Sequence, residues 1–175
     1  MTRVVFALLL CALLLAGCPD GGIQNRAVPA NTEESKDPQI LALRKAASEL
    51  AKKPEEDVSF VEVQHILISF EGRGTPAKRS KEEAEKLAAG IFAKIQGGTE
   101  FDALVKENTD DQWPGICGMV SEKSKMNQAN NIHWRKGMVP AFGNVGWRLK
   151  VGDIGVAAFD LDNSPYGWHI VKRLK

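Results

Sequence analysis

Apolar residues recur along the chain with two spacings, one typical of strands and one typical of helices. In the stretch VEVQHILI, from Val61 to Ile68, alternate side chains share a face, and one face is more apolar than the other. Similar short apolar runs, bounded by turn residues or helical stretches, predict three further strands. The four predicted strands cover residues 58–70, 115–120, 154–159 and 167–174.

Helical spacing predicts four helices. The clearest follows Ser80, which has the capping-box spacing to Glu83, and it ends at the Gly97–Gly98 pair. The first has an N-cap at Asp37 with proline in its first turn, and it either docks on the rest of the chain or acts as a spacer. The predicted helices cover residues 38–54, 81–96, a short segment that starts at Thr99, and 139–149.

The order of these elements predicts an α+β fold. Helices and strands alternate unevenly, which favours a small, largely antiparallel four-stranded sheet covered by helices. The domain is expected to span residues 58–175, with the helix at 38–54 preceding it. Residues 121–136 are polar and are predicted to form a loop.

The N-terminus has the layout of an export signal. Arg3 is followed by an apolar run over residues 4–16, which is short for a membrane span. The sequence LAGC at residues 15–18 resembles a bacterial lipobox, which implies a signal peptide at 1–17, lipidation of Cys18 and a flexible tether at 18–37. The expected location is the cell envelope, membrane-anchored on its periplasmic or extracytoplasmic face. An ordinary signal or a cytosolic hydrophobic N-terminus is the alternative interpretation.

Charge and cysteine content exclude several classes of protein. The chain has 23 basic and 22 acidic residues, so no bulk charge favours nucleic acid as a partner. Beyond the predicted lipidation site only Cys117 remains, so the exported chain would have no internal disulfide. Neither HExxH nor paired CxxC supports a zinc site, and no G-x-S-x-G elbow supports a serine hydrolase. We therefore expect no metal and no cofactor.

Two of the three histidines lie in predicted strands. His65 is on the apolar face of the first strand, and His169 is in the last strand, GWHIVKR. A buried neutral imidazole needs partners for its N–H and its lone pair, and two histidines that meet inside one sheet satisfy this need in part. A functional pair is the favoured interpretation; two separately satisfied core histidines are the alternative.

From Val63 to Lys172 the chain resembles a parvulin-type peptidyl-prolyl cis/trans isomerase. Six short motifs carry this resemblance, and they follow the family's order along the chain. They are QHILI at 64–68, GTEF at 98–101, NTDD at 108–111, GICG at 115–118, RKGMVPAF at 135–142 and GWHIV at 167–171. The chain departs from the family in the reduced strand at 115–118 and in extra residues within 121–136 and 160–163.

The resemblance implies a set of site residues. Its catalytic group would comprise the two central histidines, a carboxylate near the substrate carbonyl and a hydroxyl that bonds the histidine pair: His65, His169, Asp111 and Ser164. Its pocket for the proline ring would be lined and closed by Met138, Phe142, Cys117 and Trp147.

The implied function is isomerisation of X–Pro bonds in exported, unfolded polypeptides, without a covalent intermediate. A weakly active or inactive chaperone that binds extended peptide is the alternative, favoured by the reduced strand at 115–118. A domain that only positions a partner lipoprotein is a third. The basic residues after the first strand resemble an ordinary solvated loop, so no phosphate preference is expected.

Overall fold

The computed structural model describes residues 35–175 of the chain. The predicted signal peptide, Cys18 and nearly all of the predicted tether lie outside these residues. Within them the helices are α1 Pro38–Ala51, α2 Lys81–Gln96, α3 Phe101–Asn108 and α4 Pro140–Arg148. The strands are β1 Phe60–Ser69, β2 Ile116–Val120, β3 Ile132–Trp134, β4 Ile154–Ala157 and β5 Gly167–Arg173.

The strands form one mixed sheet in the order β3-β2-β1-β5-β4. β1 lies at its centre, antiparallel to both β2 and β5, and β4 is antiparallel to β5. The α+β class is thus confirmed. The strand number is corrected from four to five, because β3 forms within the predicted loop and pairs parallel with β2. A strand of three residues is too short for its alternation to be visible in the sequence.

Helix starts follow the sequence closely. The Asp37 side chain accepts hydrogen bonds from the N–H groups of Gln39 and Ile40, and Ser80 and Glu83 form the expected capping box. The third helix starts later than predicted. Glu100 is its N-cap and makes no side-chain bond to the helix, so Thr99 precedes the helix.

Apolar side chains fill the space on both faces of the sheet. One core lies between the sheet and α2, α3 and part of α1, and it includes Ile66, Ile68 and Leu43. The other lies between the sheet and α4, and it includes Val61, Val63 and Phe142. Leu50, near the end of α1, reaches this second core. The first helix therefore docks on the domain and is not a spacer.

Residues 35–175 contain neither a membrane span nor a metal cluster. None of the helices in this part of the chain is long and apolar enough to cross a membrane. Among the same described residues, no three His, Cys, Asp or Glu side chains are grouped closely enough to hold a metal ion.

Candidate active site

The register of β1 and β5 brings His65 and His169 together. His169 lies opposite Leu67, so its side chain shares a face with His65, two residues earlier on β1. Their ring centroids are 5.6 Å apart. The rings lie against the face that α4 covers, and they are 8% and 5% exposed.

Phe142 completes a cluster of three rings. Its centroid lies 4.9 Å from that of His65 and 5.4 Å from that of His169. It reaches them because α4 packs unusually close to the sheet. A Cβ at Gly146 would lie 3.0 Å from Met119 and 3.4 Å from Val63. The missing side chain of Gly146 therefore permits this close approach, whereas a Cβ at Gly143 would meet Arg135.

His169 is held in its neutral form. Burial, aided by the nearby His65, lowers the pKa of His169 to about 3. Neither of its ring nitrogens has a hydrogen-bond partner among the described residues. At physiological pH the ring therefore contributes a neutral, weakly polar wall to the cluster.

Asp111 approaches the cluster from the loop between α3 and β2. Its Oδ2 atom lies 3.2 Å from Nε2 of His65, and its Oδ1 atom accepts a hydrogen bond from the N–H of Gln112. The bond from His65 holds the pKa of the Asp111 carboxyl below its usual value. Because an ionised carboxylate only accepts hydrogen bonds, this contact places a proton on Nε2 of His65.

The loop that carries Asp111 is fixed along the edge of β1. The Thr109 hydroxyl accepts from the N–H of Leu67, and the Asp110 carboxylate accepts from the N–H of Ser69 and pairs with Arg79. These side chains accept hydrogen bonds from backbone N–H groups of β1 beyond the point where its pairing with β2 ends. The NTDD motif therefore bonds the edge of β1 in place of a neighbouring strand. It also contributes the carboxylate of Asp111 to the candidate site.

Ser164 does not bond the histidines, contrary to expectation. It is fully buried, but its hydroxyl donates to the Gly167 carbonyl at 2.9 Å. The N–H of Gly167 in turn donates to the Ser164 carbonyl, at 3.4 Å. In this tight turn the Ser164 hydroxyl bonds a backbone carbonyl of the same turn. Ser164 therefore stabilises the turn that leads into β5, and it makes no bond to His169.

The four residues expected around the proline pocket occupy different environments. Met138 is partly buried and packs on the same core as Phe142. Cys117 lies on that face too, and burial raises the pKa of its thiol to about 12, so the thiol is protonated at neutral pH. Trp147 is only 2% exposed and donates to the Val58 carbonyl. The expectation that Trp147 closes the pocket is therefore not met, because its indole is enclosed in the core.

Arg135 is a structural residue that the sequence did not indicate. Its guanidinium makes two hydrogen bonds to Glu55, at 2.7 and 2.6 Å, and stacks on the Trp147 ring at 4.5 Å. Its carbonyl accepts from the N–H of Met138 at 3.0 Å. Arg135 thus ties the segment before β1 to the segment that precedes α4. No local pattern reveals a pair 80 residues apart.

Replacing Glu55 with glutamine should lower the unfolding free energy by about 0.5–1 kcal/mol at pH 7, since the pair is partly exposed. Hydrogen bonds from Arg135 hold the pKa of Glu55 below its usual value. A lowered pKa in the folded state stabilises the fold above the ordinary carboxyl pKa, and the effect is lost as pH falls through the folded pKa. Urea denaturation should therefore show a smaller difference between the two proteins in acid.

Glu56→Gln is the matched control for this prediction. Glu56 is the next residue, is exposed, and makes no side-chain bond or ion pair within residues 35–175. Its variant should unfold at the native urea midpoint. Equal losses in both variants would show that the ion pairs of Glu55 with Arg135 and Arg148 contribute nothing specific.

The sequence of this chain matches known proteins. A family model described as a PPIC-type PPIase domain matches residues 47–175. Chaperone SurA of Pseudomonas fluorescens is 31% identical over 117 residues, which is 65% of this chain and 22% of that protein. Chaperone SurA of Chromohalobacter salexigens is 32% identical over 110 residues, 63% of this chain and 21% of that protein. This chain thus matches about a fifth of the length of these relatives.

Solved structures also align with the chain. The solution structure of TbPIN1 gives a TM-score of 0.48 at 23% identity, covering 67% of this chain and 98% of that one.

Proposed function

This chain belongs to the family of PPIC-type PPIase domains, the parvulin-type peptidyl-prolyl cis/trans isomerases, and on that premise we propose that it catalyses rotation about X–Pro bonds in unfolded polypeptides. The observation that carries the proposal is the cluster of His65, His169 and Phe142, with Asp111 bonded to His65 at its edge. Family membership alone would leave open whether these groups meet.

The chemistry needs no covalent bond to the enzyme. Uncatalysed X–Pro rotation has a barrier of about 20 kcal/mol, because twisting the amide breaks its resonance. The twisted amide has a weaker carbonyl dipole than the planar one, so an apolar surface binds it in preference. Phe142 and Met138 would hold the pyrrolidine ring on that surface while the rest of the peptide turns.

The polar groups have separate roles in this proposal. Neutral His169 keeps the floor of the site free of charge, which suits a transition state with a reduced dipole. Asp111 fixes the orientation of His65 and keeps a negative charge at the exposed edge of the site. That charge would act on the carbonyl carbon of the rotating amide. Asp111 is thus the polar residue best placed to touch substrate.

Asp111→Asn should lower kcat/KM for a proline peptide by roughly tenfold, within the range of a lost charge-assisted contact. Protease-coupled isomerisation and exchange NMR would both measure the change. Asp57→Asn is the control, because Asp57 is exposed and makes no side-chain bond within residues 35–175. An unaltered rate in Asp111→Asn would remove this residue from the mechanism.

A peptide-binding chaperone is the second candidate function. Two observations favour it: the relatives above are named as chaperones, and Phe142 is only 3% exposed, so a proline ring must displace neighbouring side chains to reach it. The same assay separates the two candidates. Binding of proline peptides with no increase in isomerisation rate by the native protein would establish the chaperone and exclude the enzyme.

We also propose that the protein acts at the cell envelope, anchored through a lipid on Cys18. The support is the apolar run at residues 4–16 followed by LAGC at 15–18. In a bacterial host the full chain should fractionate with membranes, and Cys18→Ser should release it. Mass spectrometry of the mature N-terminal peptide would show the acyl chains. An unprocessed, unmodified N-terminus would overturn the anchor without affecting the proposed activity.

A further inference from the structure

A cleft of about 420 Å³ lies beside the proposed proline pocket. It forms where the C-terminal end of the polar 121–136 segment meets α4. Its lining residues are Ser121, Arg135, Lys136, Met138, Pro140 and Asn144. The cleft is large enough for one or two side chains, and four of its lining residues belong to the RKGMVPAF motif at 135–142.

The lining of this cleft has an unbalanced charge. It contains two cationic side chains and no carboxylate. Arg135 is already committed to Glu55 and to the Asn144 amide oxygen. Lys136 is exposed and has no ion-pair partner within residues 35–175. The carboxylate that follows Ser121 in sequence, Glu122, pairs with Lys125 instead.

Met138 connects the cleft to the proposed active site. Its side chain packs on the core that contains Phe142, and the same residue lines the cleft. Consecutive Cα atoms of a peptide are about 3.8 Å apart. A peptide whose proline ring lies against Met138 and Phe142 therefore places a neighbouring side chain at the mouth of the cleft.

We propose that this cleft is a specificity subsite for an acidic side chain next to the substrate proline. Lys136 would pair with the glutamate or aspartate carboxylate, while Ser121 and Asn144 offer polar groups at the same wall. The inference rests on the proposed function for the position of the proline ring. The basic residues of the loop after β1, such as Arg73 and Arg79, take no part, since they do not line the cleft.

The experiment measures kcat/KM of the full chain for two matched series of peptides. The peptides carry either glutamate or glutamine on one side of the proline or on the other. At low ionic strength kcat/KM should favour the glutamate peptide by about two- to five-fold, as expected for a solvent-exposed pair. The preference should fall toward one in about 0.5 M NaCl, because salt screens the charges. Lys136→Gln should bring the glutamate-to-glutamine ratio to about one, and Lys136→Glu should reverse it.

Lys86→Gln is the matched control. Lys86 on α2 is exposed and, like Lys136, has no ion-pair partner within residues 35–175, but it does not line the cleft. Its variant should keep the native glutamate-to-glutamine ratio. A ratio near one in the native protein, or an equal change in both lysine variants, would overturn the subsite.

Binding titrations with the same peptides separate this inference from the proposed function. If neither peptide is isomerised faster, the enzymatic function fails, and the ratio of dissociation constants still decides the subsite. If both peptides are isomerised at equal rates and bind equally, the subsite fails and the function stands.

Discussion

Isomerase turnover should fall by roughly tenfold or more in kcat/KM when Phe142 is replaced by leucine. Leucine keeps most of the volume but removes the flat ring that contacts both His65 and His169. A misfitted apolar pocket loses about 1–3 kcal/mol of binding to the transition state, which sets the size of the effect. Alanine should lower kcat/KM further, but it would also cost about 3–5 kcal/mol of stability, so leucine is the more informative change.

Phe101→Leu is the control that separates catalysis from packing. Phe101 is 3% exposed, like Phe142, but it lies in the core on the opposite face of the sheet. Both leucine variants should lose less than about 1.5 kcal/mol of unfolding free energy, measured by urea denaturation. Only the Phe142 variant should lose turnover. If both lose turnover equally, Phe142 has no role beyond packing.

Predictions from the sequence succeeded where a local pattern determined the outcome. The alternation in β1 places His65 on one face, and the register of the final strand then places His169 near it. The capping box at Ser80 starts α2 as expected. These features depend on a few neighbouring residues and on the geometry of an ordinary strand or helix. The sequence pattern therefore predicts them correctly.

Other features depend on contacts that have no local sequence signal. The parallel strand β3 forms only because Ile132 and its neighbours pair with β2, and the turn before it has Asn131 in the left-handed region. The Ser164 hydroxyl could bond either a histidine or a backbone carbonyl of its own turn. In the fold it bonds the Gly167 carbonyl, and nothing in the local sequence distinguishes the two outcomes. The bond between Arg135 and Glu55 joins distant segments.

The polar segment at 121–136 illustrates both cases. Its lack of core residues is visible in the sequence, and residues 121–131 are indeed exposed. Its end, however, is bound to the domain through Arg135, which places Lys136 and Met138 on one cleft. An insertion that is solvated along most of its length can therefore still form a wall of a cleft in the folded domain.

Replacing Gly167 with alanine should cost about 3–5 kcal/mol of unfolding free energy, which is a large effect for one methyl group. Gly167 has φ of +147°, and a Cβ there would lie 2.2 Å from the Ile68 carbonyl oxygen. Both clashing groups belong to paired strands, so neither can move without opening the β1–β5 ladder. Urea denaturation at low temperature would measure the loss even for a marginally stable variant.

Gly152→Ala separates backbone strain from the steric clash. Gly152 also has a positive φ, of +89°, but a Cβ at this position would have no atom within 4 Å. Its variant should lose only about 1–2 kcal/mol, the cost of the left-handed conformation for an ordinary residue. Equal losses at the two glycines would show that β1 and β5 separate easily at this point. The separation of His65 and His169 would then not be fixed by the ladder, and the histidine cluster that carries the proposed function would lose its fixed geometry.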